Sequence, residues 1–66
     1  MPDTFAERLK AIRKEKGYKQ YQLAEKIGIY TSHLSKYERG IIAPTITVLE
    51  WICDALDVSA TELLGY

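Results

Sequence analysis

Apolar residues recur along this chain three and four positions apart, the spacing that gathers them on one side of a helix. Phe5, Leu9 and Ile12 make the first stripe, Leu23, Ala24 and Ile27 the second, Leu34 and Tyr37 the third, and Ile46, Leu49, Ile52, Cys53 and Leu56 the fourth. Local punctuation sets the ends. Thr4-Phe-Ala-Glu7 reads as a capping box that opens a first helix running to about Lys16, and Gly17, Gly28 and Gly40 close the first three helices. The second helix is predicted over roughly Gln20 to Ile27 and the third within "KIGIYTSHLSKYERG", residues 26–40. After the turn Ile41-Ile-Ala-Pro44, Thr45 caps a fourth helix to about Asp57. Ser59 with Glu62 forms a second capping box inside a Val58/Leu63 hydrophobic staple, so a short fifth helix starts there. Strand alternation, repeats and low-complexity runs are absent from the sequence. The pattern predicts an all-α fold, five short helices around one core, in a single domain over residues 1–66.

The third helix has two unlike sides. At about 100° per residue, Thr31, Ser32, Ser35, Lys36 and Arg39 fall within one arc, while Leu34 and Tyr37 point the opposite way. The apolar side anchors the helix. The polar arc offers hydroxyls, an amine and a guanidinium, groups that hydrogen-bond base edges and phosphates, although a solvated helix face has much the same composition.

Composition narrows the class. At 66 residues and 47% hydrophobic the chain can build one small core, and its single Cys53 has no internal partner, so packing alone must hold the fold. No apolar run approaches the roughly 18 residues of a membrane span, and the start does not read as a signal peptide. The expectation is a soluble, cytoplasmic protein in a reducing compartment. Net charge is zero, which points away from a polyanionic partner, but its distribution reverses that. All nine Lys and Arg lie in residues 1–39 with five acids, a net +4, and residues 40–66 hold four acids and no Lys or Arg, a net −4. Only the local field acts on a polyanion within a Debye length of about 8 Å.

Only a few residues around Gly28 join the second and third helices, too short a connection for antiparallel packing, so the two should cross steeply as a helix-turn-helix over about residues 20–39. Ala24 and Gly28 suit the close turn, and Leu34 and Tyr37 the buried side. The segments "RLKAIRKEKGYKQYQLAEKIGI", "LSKYERG", the proline at 44 and "LDVSATELL" together resemble the Xre/Cro-type helix-turn-helix family of phage repressors and prokaryotic regulators, over nearly the whole chain. The resemblance implies a lambda-repressor-like fold and binding of double-stranded DNA at a pseudo-palindromic operator, with the third helix in the major groove. Gln20 would then bind a phosphate and brace the third helix. Thr31, Ser32 and Lys36 would read bases, Ser35 would be a secondary reader, and Tyr30 and Arg39 would hold phosphates. Backbone N–H groups around Ile42 and Ala43 would do likewise. The family commonly pairs the residues at Arg13 and Glu38, which implies an ion pair between the first helix and the end of the third; the plainer alternative is two independent surface charges.

The chain departs from the family pattern in places. Lys19 and Tyr30 stand where Ser or Thr commonly caps a helix, which leaves both starts without a hydroxyl cap or moves the third to Thr31. Ile41 and Ile42 replace residues that are often basic or polar, exchanging a phosphate contact for an apolar patch. Thr and Ser discriminate bases weakly, so specificity falls on Lys36 and on DNA shape.

Other chemistry finds little purchase. His33, the one histidine, lies on the flank of the third helix with no second ligand or nucleophile placed by the sequence, so it reads as solvated or phosphate-facing. Cys53 reads as a core thiol, and Glu50, Asp54 and Asp57 as a solvated acidic face. No phosphate-cradling glycine loop is present, and no enzyme, metal, cofactor or small-molecule effector is indicated. Two functions remain. One is a homodimeric DNA-binding transcriptional regulator, in the first instance a repressor; the other is a protein-interaction module, of the kind that partners antitoxins or antirepressors, keeping the fold without operator contacts. Val48, Trp51 and Ala55 form a second apolar line on the fourth helix. Trp51 with Leu64 and Tyr66, and Ile41 or Ile42 at the edge, are the expected dimer surface, against the plainer reading that Trp51 covers a thin core.

Overall fold

The structure, a computed structural model, describes residues 4–65. Five helices follow one another: α1 (Phe5–Glu15), α2 (Gln20–Ile27), α3 (Thr31–Glu38), α4 (Ile46–Leu56) and α5 (Ala60–Leu64). Caps decide where they begin. Thr4 Oγ1 accepts from the Glu7 N–H at 3.1 Å while Glu7 Oε1 accepts from the Thr4 N–H at 3.4 Å, the reciprocal box expected of this sequence. Thr45 Oγ1 accepts from Val48 N–H at 3.2 Å and Ser59 Oγ from Glu62 N–H at 3.1 Å. Lys19 and Tyr30 make no side-chain cap, and α3 starts at Thr31. At α2 the Gln22 carboxamide takes over part of the task, its Oε1 accepting from the Lys19 N–H at 2.9 Å.

Each helix sends at least one side chain into a single core of Leu9, Leu23, Ala24, Leu34, Tyr37, Ile52, Leu56 and Leu63. Packing falls into layers: α3 rests mainly on α1 and α2, which rest in turn on α5 and α4. The inward stripe of α4 differs from expectation. Ile46 is 76% exposed, while Val48 and Ala55, assigned to a separate outer line, pack against the core. The reason is angular. With Ile52 at the centre, Val48, Ala55, Leu49 and Leu56 lie within about 60° of it, whereas Ile46 lies about 120° away at the first position of the helix. One stripe therefore replaces two, with Trp51 left 47% exposed at its rim. α4 ends without a glycine: Asp57 takes the left-handed conformation at φ 56°, a state its short side chain tolerates better than most.

Candidate nucleic-acid interface

The sharp turn between α2 and α3 follows from two small residues. Gly28 sits at φ 91°, and the Ala24 carbonyl accepts from both the Gly28 and Ile29 N–H groups, at 2.9 and 3.0 Å. Ala24 itself is buried, so α3 crosses α2 closely, with Leu34 and Tyr37 turned into the core. The opposite side of α3 faces water: Thr31, Ser32, Lys36 and Arg39 are exposed and Ser35 is half-buried. The expected arc is thus one continuous surface. Within it, Arg39 Nε donates to Ser35 Oγ at 3.1 Å, which lays the guanidinium along the helix. That i, i+4 tie was open to a reading of the sequence, since the two residues lie one turn apart.

Beneath the arc three polar side chains close a buried network. Arg13 and Glu38 meet in a two-pronged contact, Nε to Oε2 at 2.6 Å and Nη2 to Oε1 at 3.0 Å, with side chains only 6% and 2% exposed. Arg13 Nη1 also donates to the Tyr18 carbonyl at 2.8 Å, and Gln20 Nε2 donates to Glu38 Oε1 at 3.2 Å. The network joins the end of α1, the start of α2 and the end of α3. Its geometry fixes the tilt of α3, because Glu38 receives donors from both supporting helices.

Residues expected at the rims are distributed unequally. Tyr30 is exposed at the start of α3 and packs edge-to-face on His33, ring centroids 6.0 Å apart. This pairing, unanticipated, was signalled only by two rings at i and i+3. Tyr21 is also exposed, beside Gln20. Lys26 Nζ contacts the Tyr18 hydroxyl at 2.6 Å; the ammonium meets the edge of that ring rather than its face. The expected dimer residues that the structure describes lie on two helices, Trp51 on α4 and Leu64 on α5. Trp51 overhangs a shallow groove of about 320 Å³ on the α2 side of α4, with Lys26, Ile27, Asp54 and Ala55. Leu64 is half-buried on α5, and Tyr66 lies outside the described residues. Cys53 is half-buried, and burial, followed by the charges of Asp54 and Glu50, pushes its thiol above the ordinary 9.0. None of the described helices is long and apolar enough to cross a membrane.

The arrangement has close counterparts. The family model described as helix-turn-helix matches residues 9–63. The chain belongs to the Xre/Cro-type helix-turn-helix family. A relative within this helix-turn-helix family, the HTH-type transcriptional regulator SinR of Bacillus licheniformis, is 48% identical over 60 residues, 89% of this chain and 54% of its own length. The chain spans about half the length of the curated relatives it matches first. Among solved structures, SinR in complex with DNA is similar at TM-score 0.85 and 44% identity, over 91% of this chain and 97% of that one. The P22 c2 repressor with a synthetic operator is similar at TM-score 0.88 and 28% identity, over 96% of each chain.

Proposed function

We propose that this helix-turn-helix chain is a sequence-specific double-stranded-DNA-binding transcriptional regulator, a repressor acting in the cytoplasm without an enzymatic step. The observation that carries the reading is the exposed arc of α3, held at a set tilt by the Arg13–Glu38–Gln20 network in a fold shared with DNA-bound SinR. Thr31, Ser32 and Lys36 read base edges in the major groove, with Ser35 secondary. Gln20, Tyr30 and Arg39 hold phosphates, and the α3 start, which no side chain caps, leaves N–H groups open for the same use. The domain spans residues 1–66.

The regulator works as a homodimer, with Trp51 as an aromatic anchor and Leu64 and Tyr66 contributing. Dimensions support two copies. The fold measures 26 × 24 × 22 Å, so neighbouring copies can lay their α3 helices in successive major grooves about 34 Å apart. Selecting bound sequences from a duplex library, then titrating the winner at rising salt, tests the reading. The expected result is a pseudo-palindromic site and a steep loss of affinity, with a log–log slope of roughly −0.9 per phosphate neutralised. A slope near zero overturns it. One observation favours the alternative of a protein-interaction module: Ile41, Ile42 and Ile46 are all exposed around the α3–α4 connection. That reading requires no selected DNA at all.

A further inference from the structure

On the reading that α3 enters a major groove, we infer that His33 reads a base directly, that Tyr30 positions it, and that the base is guanine. His33 is the third residue of α3, and it is the first residues of such a helix that reach base edges. It is exposed, and it extends the reading arc about 60° beyond Lys36. Its ring has an aromatic neighbour. Tyr30, 76% exposed ahead of the first turn, meets the imidazole at an interplanar angle of 64° with centroids 6.0 Å apart. Together with Gly28 and Ile29 the two rings line one open depression beside the turn. Tyr30 sits at the helix start without capping it, so its ring is available for this contact. An aromatic pair left largely exposed gains little from burial, whereas a ring held in one orientation at a groove-entering helix end gains directional hydrogen bonding.

Chemistry selects the base. The imidazole keeps at least one N–H donor whether neutral or protonated. Guanine presents only acceptors, N7 and O6, on its major-groove edge, while adenine sets an amino donor beside N7, cytosine offers a donor, and thymine pairs one acceptor with a methyl group. A positioned N–H donor therefore prefers guanine. The hydroxyls of Thr31 and Ser32 carry no such preference, which leaves His33 and Lys36 as the discriminating pair.

Selection from a randomised duplex library, followed by titration of the winning site and its single-base variants, tests this. Wild type should select guanine at one position of each half-site and lose about tenfold in affinity when that guanine is replaced. H33A should bind the selected site about tenfold more weakly and bind all four bases alike at that position, with every other position unchanged. Y30A should flatten the same position. Y30F keeps the ring and should keep the guanine preference, losing affinity uniformly through the missing phosphate contact. H33A weakening every site equally, or selecting the same guanine as wild type, overturns the assignment. A wild type that selects no sequence removes the DNA reading and His33's role with it, a failure distinct from the first two.

Discussion

Removing one member of the Arg13–Glu38 pair should nearly unfold the protein. Glu38→Ala strips Arg13 of its contacts at 2.6 and 3.0 Å and leaves the guanidinium buried with the Tyr18 carbonyl at 2.8 Å as its remaining partner. It also strands the Gln20 amide, bonded at 3.2 Å to the same carboxylate. An uncompensated buried charge costs about 3–5 kcal/mol. A domain of this size has roughly 3–10 kcal/mol in total. At about 4–8 °C per kcal/mol, Tm should fall by at least roughly 12 °C. Arg13→Met keeps the aliphatic stem, and combined with Glu38→Leu it replaces the pair by apolar packing, which should bring stability back to wild type or above. DNA affinity should not return with it, because Glu38 no longer receives donors from both supporting helices. The assay is a four-member double-mutant cycle, unfolded by urea and heat under far-UV circular dichroism and Trp51 fluorescence, each member then titrated with the selected site. A Glu38→Ala variant within 4 °C of wild type, on the order of 1 kcal/mol, or a coupling energy of zero, would refute the energetic argument. A double variant that folds and binds as wild type would refute the positioning one.

Three further outcomes are expected. Lys36→Ala should lose about 1–3 kcal/mol on the preferred site and relax one base position, whereas Gln20→Ala should weaken all sequences similarly; identical sequence profiles in a selection experiment would contradict the division of roles. Trp51→Glu should give a folded monomer with reduced operator affinity, and sedimentation showing wild type monomeric at tens of micromolar, or the variant still dimeric, ends the interface assignment. The Cys53 thiol is raised above 9.0 first by burial and then by Asp54 and Glu50, so its neutral form is favoured in the folded state. Its contribution to stability is complete below that ordinary value and disappears as pH climbs through the folded one. Iodoacetamide should alkylate Cys53 more slowly at pH 8 in the native than in the urea-unfolded chain, and equal rates would count against it.

Helix ends were legible wherever a side chain or a glycine enforced them: Thr4, Thr45 and Ser59 begin helices and Gly28 ends one, each through a local bond that spacing alone specifies. Where no cap exists the start of α3 had two candidate positions, Tyr30 and Thr31. The face of α4 misled because periodicity admits Ile46 at i−3 from Leu49 without saying that the stripe's centre lies at Ile52. Arg13 and Glu38 are 25 positions apart, and no local rule brings such charges together, so only the family resemblance suggested that they meet. The arc of α3 was readable as a surface from its period. Its internal ties, Arg39 to Ser35 and Tyr30 to His33, join residues whose one-turn spacing permits contact, while the rotamers that make the contact are not carried by a helical wheel.

Layering also resolves how a chain of zero net charge can serve a polyanion. Exposed Lys36 lies on α3 and exposed Arg39 at its C-cap. Exposed charges of both signs (Lys10, Lys14, Lys16, Lys19 and Lys26 against Glu7, Glu15 and Glu25) lie on and beside α1 and α2, and the exposed acids Glu50, Asp54 and Glu62 belong to α4 and α5. α1 and α2 stand between these two groups of helices. The fold is 22 Å across in its smallest dimension, nearly three times the Debye length of about 8 Å at physiological salt. At the α3 surface a phosphate therefore meets the local positive field with the acidic layer largely screened, and net charge says little about affinity. Before contact, and at low salt where screening reaches farther, the same separation gives the molecule a dipole. On the proposed reading that dipole turns α3 toward DNA and the acidic layer away, so charge asymmetry acts on orientation and association rate more than on the final complex.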